Sequence, residues 1–340
     1  MFSLLGKAAP SQRTALAFVC ASFFVYFVMM DMTQYFTLQT QKLLEDTNTA
    51  SGYSPFSPMS IKLLLTNYVE HYLTTPTVEY FDRITKFSKI FYFITPNMIT
   101  LSHFLLALVA TRMAYSDFLY YRRVAVVLFY IRSWLDALDG VVYRSHKGEH
   151  IYTSNKNEWG YLVDALADTA GGVFFCTGMW WHLTKTVKPK QAPLDQSWKI
   201  SLEEGGEPSI ATEKHPIVVK YSKKYLYLMI WKYGLLIFIS AGAWTYATEK
   251  YQEVYEVALA DQEKQVLQLA SLRSNTTWFI FWLWRMLEGQ LLLHVICIVH
   301  FCDKLWDFLN FIPVYGYAAF IFLNGLTHLH IYQVRSSLGL

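Results

Sequence analysis

Four aspartates fall into two pairs, Asp136 and Asp139 three residues apart and Asp164 and Asp168 four apart. Either spacing puts both carboxylates on one helical face, about 5–6 Å apart at Cβ. One pair closes an apolar run, Arg132-Ser-Trp-Leu-Asp136-Ala-Leu-Asp139-Gly140. The other opens the next run, Gly160-Tyr-Leu-Val-Asp164-Ala-Leu-Ala-Asp168. A short connection makes the two runs antiparallel neighbours, so the pairs converge. An Asp at the centre of a membrane helix costs about 2.5–3.5 kcal/mol on insertion scales. Four would approach roughly 10 kcal/mol, comparable to a whole domain's stability. The set must therefore sit near the interface, be neutralised, or both. Two divalent cations would balance four carboxylates, and oxygen-only ligands select hard ions, Mg²⁺ or Mn²⁺. Two such ions about 3.5–4 Å apart clamp a pyrophosphate and stabilise an in-line displacement. Gly140 fits, since a missing side chain lets a nucleotide approach the backbone. A single Asp at a helix end is more often a cap or an ion-pair partner, here for Arg132, Arg144 or Lys147. Two spaced pairs favour the metal site. A reading from another class is a cation or proton transporter with the carboxylates as its relay.

The elements that position these groups follow from composition. Of 340 residues, 54% are hydrophobic, 17% aromatic and 16% charged, against about 25% charged in an ordinary soluble domain. Modest Gly and Pro counts exclude collagen-like and low-complexity chains, and the aromatic surplus excludes disorder. A net charge of +3 is too small to argue for a nucleic-acid polymer. At roughly 20 residues per span, the chain holds several spans and no large soluble domain. The expected class is an all-α integral membrane protein embedded in a lipid bilayer.

The first apolar run, residues 15–30, follows Lys7 and Arg13 and leads into Met29-Met30-Asp31-Met32 rather than a small-residue cleavage site. It reads as an uncleaved anchor with the N-terminus in the cytosol. Six further spans are expected over 97–115, 118–138, 160–183, 225–247, 277–300 and 305–332, about seven in all. The organisation is then a cytosolic N-terminus and anchor (1–36), a lumenal segment (37–95), a six-helix core (96–332) and a tail (333–340). Residues 77–93 carry Phe81, Ile84, Phe87 and Phe91 at helical spacing with Asp82, Arg83, Lys86 and Lys89 between them. This pattern predicts an amphipathic helix on the membrane surface. The 184–224 connection is a polar loop with Lys185, Lys188, Lys190, Lys199, Lys214, Lys220, Lys223 and Lys224. The 248–276 connection is acidic-leaning and ends in the glycosylation acceptor pattern Asn275-Thr276-Thr277. Seven spans from a cytosolic N-terminus make the Lys-rich loop cytosolic and the 248–276 loop lumenal. The aspartate-bearing ends then face the lumen.

These motifs resemble the CDP-alcohol phosphotransferases, integral membrane enzymes with a six-helix core. The family pattern D-x-x-D-G-x-x-A-R, then G-x-x-x-D-x-x-x-D, reads here as Asp136, Asp139, Gly140, Tyr143, Arg144, then Gly160, Asp164, Asp168. Thr95-Pro96-Asn97-Met98-Ile99-Thr100 resembles the segment that opens the family's first core helix. The resemblance spans roughly residues 77–332 and includes the family's juxtamembrane helix. Two positions depart: Tyr143 replaces the family's Ala, and fifteen residues rather than seven or eight separate Arg144 from Gly160. Both departures resemble the variant motif of a divergent branch, the insect ceramide phosphoethanolamine synthases. The resemblance implies transfer of phosphoethanolamine from CDP-ethanolamine to the primary hydroxyl of ceramide with release of CMP. The runner-up acceptor is diacylglycerol. It makes Asp136, Asp139, Asp164 and Asp168 the ligands of two divalent cations, Mn²⁺ or Mg²⁺, with Asp139 and Asp164 bridging and Asp168 the general base. It gives Gly140, Arg144 and Gly160 to the CDP moiety, with Asn97, Thr100 and Tyr143 lining the nucleotide pocket. It further implies a homodimer; the extra N-terminal span, by inverting the core, gives the expectation of a secretory-pathway protein at the Golgi membrane with a lumenal active site.

Other polar residues in apolar context are candidates too. Arg285, Glu288, Gln290 and His294 punctuate the span over 277–300. Glu288 and His294 are candidates for an acceptor pocket, and Arg285 and Glu288 are spaced for a local ion pair. His146, Glu149 and His150 lack the zincin order and read as a solvated loop. Lys232 reads as snorkelling or paired. The aromatic runs over 225–227 and 278–284 read as interfacial belts. Cys20, Cys176, Cys297 and Cys302 show neither zinc spacing nor a disulfide framework.

Overall fold

The computed structural model describes residues 10–43, 56, 59–147, 159–186 and 223–340. Glu149, His150 and the Lys-rich stretch from Lys188 to Lys220 lie outside the described residues. The described residues are helices and short connections, with no strand among them. In chain order they are α1 (Pro10–Thr40), α2 (Ile61–Leu65), a π-helical turn (Glu70–Thr74), α3 (Thr75–Thr85), α4 (Phe87–Ile90), α5 (Pro96–Ala114) and α6 (Leu119–Lys147). There follow α7 (Trp159–Thr186), α8 (Lys223–Tyr255), α9 (Gln262–Leu272), α10 (Asn275–Leu287), α11 (Gly289–Phe301) and α12 (Leu305–Leu338).

Local chemistry fixes several boundaries. Thr95 caps α5 by accepting from the Met98 amide, with Pro96 in the first turn where a missing N–H is harmless. Ser274 caps α10 in the same way through the Thr277 amide. The amphipathic segment forms but is divided. Lys86 takes a left-handed conformation (φ 52°) between α3 and α4. Asp82 stabilises the turn by accepting from the Ser88 amide at 2.7 Å and the Ser88 hydroxyl at 2.9 Å. Phe81 and Phe87 pack toward Trp134 of α6, whereas Ile84, Ile90 and Phe91 stay exposed for lipid.

Among the described residues, five helices are long and apolar enough to cross a membrane: Phe18–Thr40, Pro96–Ala114, Leu162–Lys185, Lys224–Tyr255 and Leu305–Leu338. The pair α10 and α11 is apolar enough to add a sixth crossing if it is one broken span, bent by 47°, rather than a re-entrant loop. The expected span at 118–138 is helical and extends to Lys147, but it does not qualify on composition alone. It carries Arg122, Arg123, Arg132, Asp136, Asp139 and Arg144, and its neighbours, not lipid, cover several of them. The chain is thus an all-α membrane protein with five or six apolar crossings and one further long helix, α6, that buries several of its charges against its neighbours while exposing Tyr120, Val127 and Ile131.

Among the described residues, two large packed cores organise the bundle, beside a smaller one around Val78, Ile99 and Val142. One joins Ala110, Ala125, Phe129, Phe175, Met179, Tyr233 and Ile296 across α5, α6, α7, α8 and α11. The other joins Leu38, Leu64, Tyr72, Tyr251, Phe281, Trp284 and Leu323, and so ties α1 and the 59–74 segment to α8, α10 and α12. Helices α5 and α7 approach closely at Gly178, where an added Cβ would lie 2.6 Å from the Thr111 carbonyl oxygen. That contact fixes the register in which α5 meets the aspartates of α7.

Candidate active site

Helices α5, α6 and α7 converge on one polar cluster. His103 projects from α5, fully buried, and its Nε2 faces all four aspartates. The separations are 3.7 Å to Asp136, 3.5 Å to Asp139, 3.8 Å to Asp164 and 4.0 Å to Asp168. The two sequence pairs therefore do converge. Arg132, one turn before Asp136 on α6, pairs with Oδ1 of Asp168. Thr100 donates to Oδ2 of Asp139 at 2.7 Å. Arg132 offsets only one carboxylate, and Asp164 keeps a buried oxygen with no hydrogen-bond partner.

That imbalance tests whether a metal fits. One ligand atom from each of His103, Asp136, Asp164 and Asp168 lies within 4.8 Å of the others. Neither ring nitrogen of His103 has a hydrogen-bond partner. Leaving a buried polar group unpaired costs about 1–3 kcal/mol, and clustered like charges add to that cost. Oxygen and imidazole donors facing one point are the donor set of a divalent cation. The residues present fit such an ion.

Four of the expected nucleotide residues come together in two pairs. Asn97 and Gly160 are neighbours, with the Asn97 Oδ1 3.9 Å from the place a Gly160 Cβ would occupy. Arg144 folds back over Gly140, its Nη1 3.4 Å from the corresponding position there. Its Nη2 lies 3.8 Å from Glu79 of α3. The Lys147 ammonium sits 4.8 Å from the Tyr143 ring centre. His146, expected as a loop residue, is in the last turn of α6 with its Nε2 3.2 Å from the Ser88 carbonyl oxygen.

The remaining intramembrane candidates separate into two groups. Arg285 does not pair with Glu288. The chain turns extended at Glu288 (φ −60°, ψ 137°), which breaks the helical spacing that would have joined them. Arg285, 1% exposed by side chain, instead bonds Asp31 of α1 at 2.5 Å, the Leu64 carbonyl at 2.8 Å and the Tyr72 hydroxyl at 2.8 Å, and also Gln34. Tyr68 donates to the other Asp31 oxygen at 2.8 Å. Burial pushes the Tyr68 and Tyr72 phenols well up from their ordinary range, so both stay protonated donors. The second group surrounds Glu70 in the π-helical turn. Gln290 donates to it at 3.0 Å, and the His294 Nε2 lies 3.7 Å from the same oxygen. His294 stacks on Tyr130 of α6, ring centres 5.3 Å apart. Glu288 is buried nearby on the α10–α11 break.

Sequence reasoning missed His103, Glu79, Glu70, Tyr130 and the role of Asp31. A lone His or Glu carries no spacing to a partner on another helix. The nearest available signal was His103 one turn after Thr100 on a helix already assigned to the site.

Comparison with known proteins now bears on this geometry. The profile of the family described as ceramide phosphoethanolamine synthase matches residues 39–338. The chain is 32% identical over 285 residues to the ceramide phosphoethanolamine synthase of Drosophila melanogaster, covering 83% of this chain and 70% of that protein. No solved structure matches. The matched region contains every residue of the convergent cluster, and the chain belongs to the ceramide phosphoethanolamine synthase family.

Proposed function

We propose that this protein transfers phosphoethanolamine from CDP-ethanolamine to the primary hydroxyl of ceramide and releases CMP. The observation that carries the reading is the convergence of four aspartates from α6 and α7 on one buried point. Family membership supplies the donor and acceptor.

Asp136, Asp139, Asp164 and Asp168 would hold the two divalent cations, Mg²⁺ or Mn²⁺. Bound there, the ions would neutralise the pyrophosphate and the departing CMP. The residues of the chain carry the rest. Gly140 leaves room for the nucleotide to approach α6. Arg144, Asn97, Thr100, Tyr143 and Gly160 line its path. Arg132 grips one oxygen of Asp168, and the other takes the proton from the acceptor hydroxyl as that oxygen attacks phosphorus and the bond to CMP breaks. Glu288 and His294, with Glu70 and Tyr130, form the polar wall of the acceptor pocket.

The site lies at the end of the bundle opposite Arg122, Arg123 and Lys185. Arg122 pairs there with Asp303 at 2.7 Å, and Lys185 with Asp117 at 3.9 Å. Counting spans from a cytosolic N-terminus supports an active site facing the lumen of the secretory pathway, which we place at the Golgi. Labelled CDP-ethanolamine, offered to the protein in liposomes with ceramide or diacylglycerol, tests the reading. CMP release with ceramide that disappears in Asp168→Ala is the expected result. Metal flux across the liposome without CMP release would replace the enzyme by a transporter.

A further inference from the structure

The donor set is not oxygen alone. We infer that His103 is a direct ligand of one of the two cations, so that the metal pair is chemically unequal. This rests on the reading that the aspartates hold metal, and it assigns a nitrogen ligand from a third helix.

Three observations lead there. His103 is fully buried, and neither of its nitrogens has a hydrogen-bond partner. Its Nε2 stands 3.5–4.0 Å from an oxygen of each aspartate. Those separations exceed a hydrogen bond, about 2.7–3.2 Å for nitrogen to oxygen. Ligands about 2.1 Å from a six-coordinate ion stand roughly 3.0 Å apart when adjacent and roughly 4.2 Å when opposite. The observed values fall between these two, as expected of groups facing a shared centre rather than one another. Finally, one ligand atom each from His103, Asp136, Asp164 and Asp168 meets around one point, whereas the Asp139 oxygen nearest His103, at 3.5 Å, is already engaged by the Thr100 hydroxyl. One ion would therefore have mixed nitrogen and oxygen ligands, and the other oxygen ligands alone.

The chemical consequence is selectivity. A nitrogen ligand adds more to the binding of a first-row transition ion, Mn²⁺ included, than to that of Mg²⁺, which favours oxygen. The His103 site thus favours Mn²⁺ over Mg²⁺ relative to its neighbour.

Pulsed EPR of Mn²⁺ bound to the full-length protein in lipid nanodiscs reads the ligand directly. The expected spectrum carries ¹⁴N coupling from a coordinated imidazole. In His103→Gln, which keeps an oxygen donor of similar reach, the coupling disappears. Mn²⁺ affinity falls by at least about tenfold, more than Mg²⁺ affinity does. Unchanged helical circular dichroism identifies a folded variant, and the wild-type spectrum tests the ligand without any variant. Bound Mn²⁺ without nitrogen coupling, or coupling that survives in His103→Gln, overturns the assignment and leaves the metal site standing. A wild-type protein that binds no Mn²⁺ at all overturns both.

Discussion

Two of the charge clusters buried among the described residues are built on opposite principles. Around Arg285, every charged group has a partner: Asp31, Gln34, Tyr72 and the Leu64 carbonyl surround the guanidinium, and Tyr68 completes Asp31, leaving only the neutral Gln34 Nε2 unpaired. Around His103, four carboxylates share one guanidinium, and the imidazole bonds nothing. Both clusters join helices far apart in sequence. The first holds α1 and the 59–74 segment against α10 and needs nothing from outside. The second is incomplete, and a bound cation would stabilise it. Buried charge in a membrane protein therefore marks a ligand site only where the count of partners fails to close.

The largest expected effect separates chemistry from stability. Asp164→Asn removes a carboxylate whose Oδ1 has no hydrogen-bond partner. Losing several kcal/mol of charge stabilisation lowers CMP release on the order of 10³-fold. The thermal midpoint stays the same or rises, because one member of a like-charged group is gone. A variant that unfolds while the surviving fraction turns over normally would place Asp164 with the structural network.

Arg285→Met makes the mirror-image case. It leaves Asp31 buried without its cation, a loss of about 3–5 kcal/mol. The thermal midpoint drops sharply, and the folded fraction keeps its turnover. Asp31→Leu combined with Arg285→Met restores most of the stability, since the buried pair is replaced rather than halved. Intact folding with lost turnover in the single variant would make the network part of the catalytic machinery.

Between these extremes stands Thr100→Val. It removes the hydroxyl that fixes Asp139 while keeping the side-chain shape. Groups that orient metal ligands are typically worth 10–100-fold in affinity or activity. Turnover should fall by about that range at fixed cation concentration, with part of the loss recovered by added Mn²⁺. Loss of stability with no loss of turnover would reassign this bond to packing.

The sequence spoke most clearly where partners are close along the chain. The spacings of Asp136 with Asp139 and of Asp164 with Asp168 were readable because each pair repeats within one helical turn, and two consecutive helices carry them. Thr100 was readable from the motif that opens α5. Arg285 was misleading for the same physical reason: Glu288 stood at the right interval, but the interval means adjacency only while the helix continues, and it stops at Glu288. Its actual partner, Asp31, lies on α1, and His103 reaches four carboxylates on two other helices. Contacts of that kind are set by how whole helices pack. The α6 span was legible as a helix, yet its charges removed the hydropathy signal that marks its neighbours.

The smallest effect gives the finest cut between the two kinds of cluster, and it falls on Arg144. Its guanidinium lies over Gly140 and 3.8 Å from Glu79, and both side chains are 23% exposed. A pair this long and this open to solvent contributes about 0.2–1 kcal/mol, so Glu79→Gln should move the thermal midpoint little. Arg144→Ala should raise the KM for CDP-ethanolamine, because the arginine is assigned to the donor. Glu79 competes with the donor pyrophosphate for the same guanidinium. Releasing it should lower that KM by at most about fivefold, the equivalent of about 1 kcal/mol. A KM that rises in Glu79→Gln as it does in Arg144→Ala would mean that Glu79 holds the arginine in place. Arg144 would then belong with Arg285, a cation completed by its own protein, and the incomplete cluster would end at the aspartates.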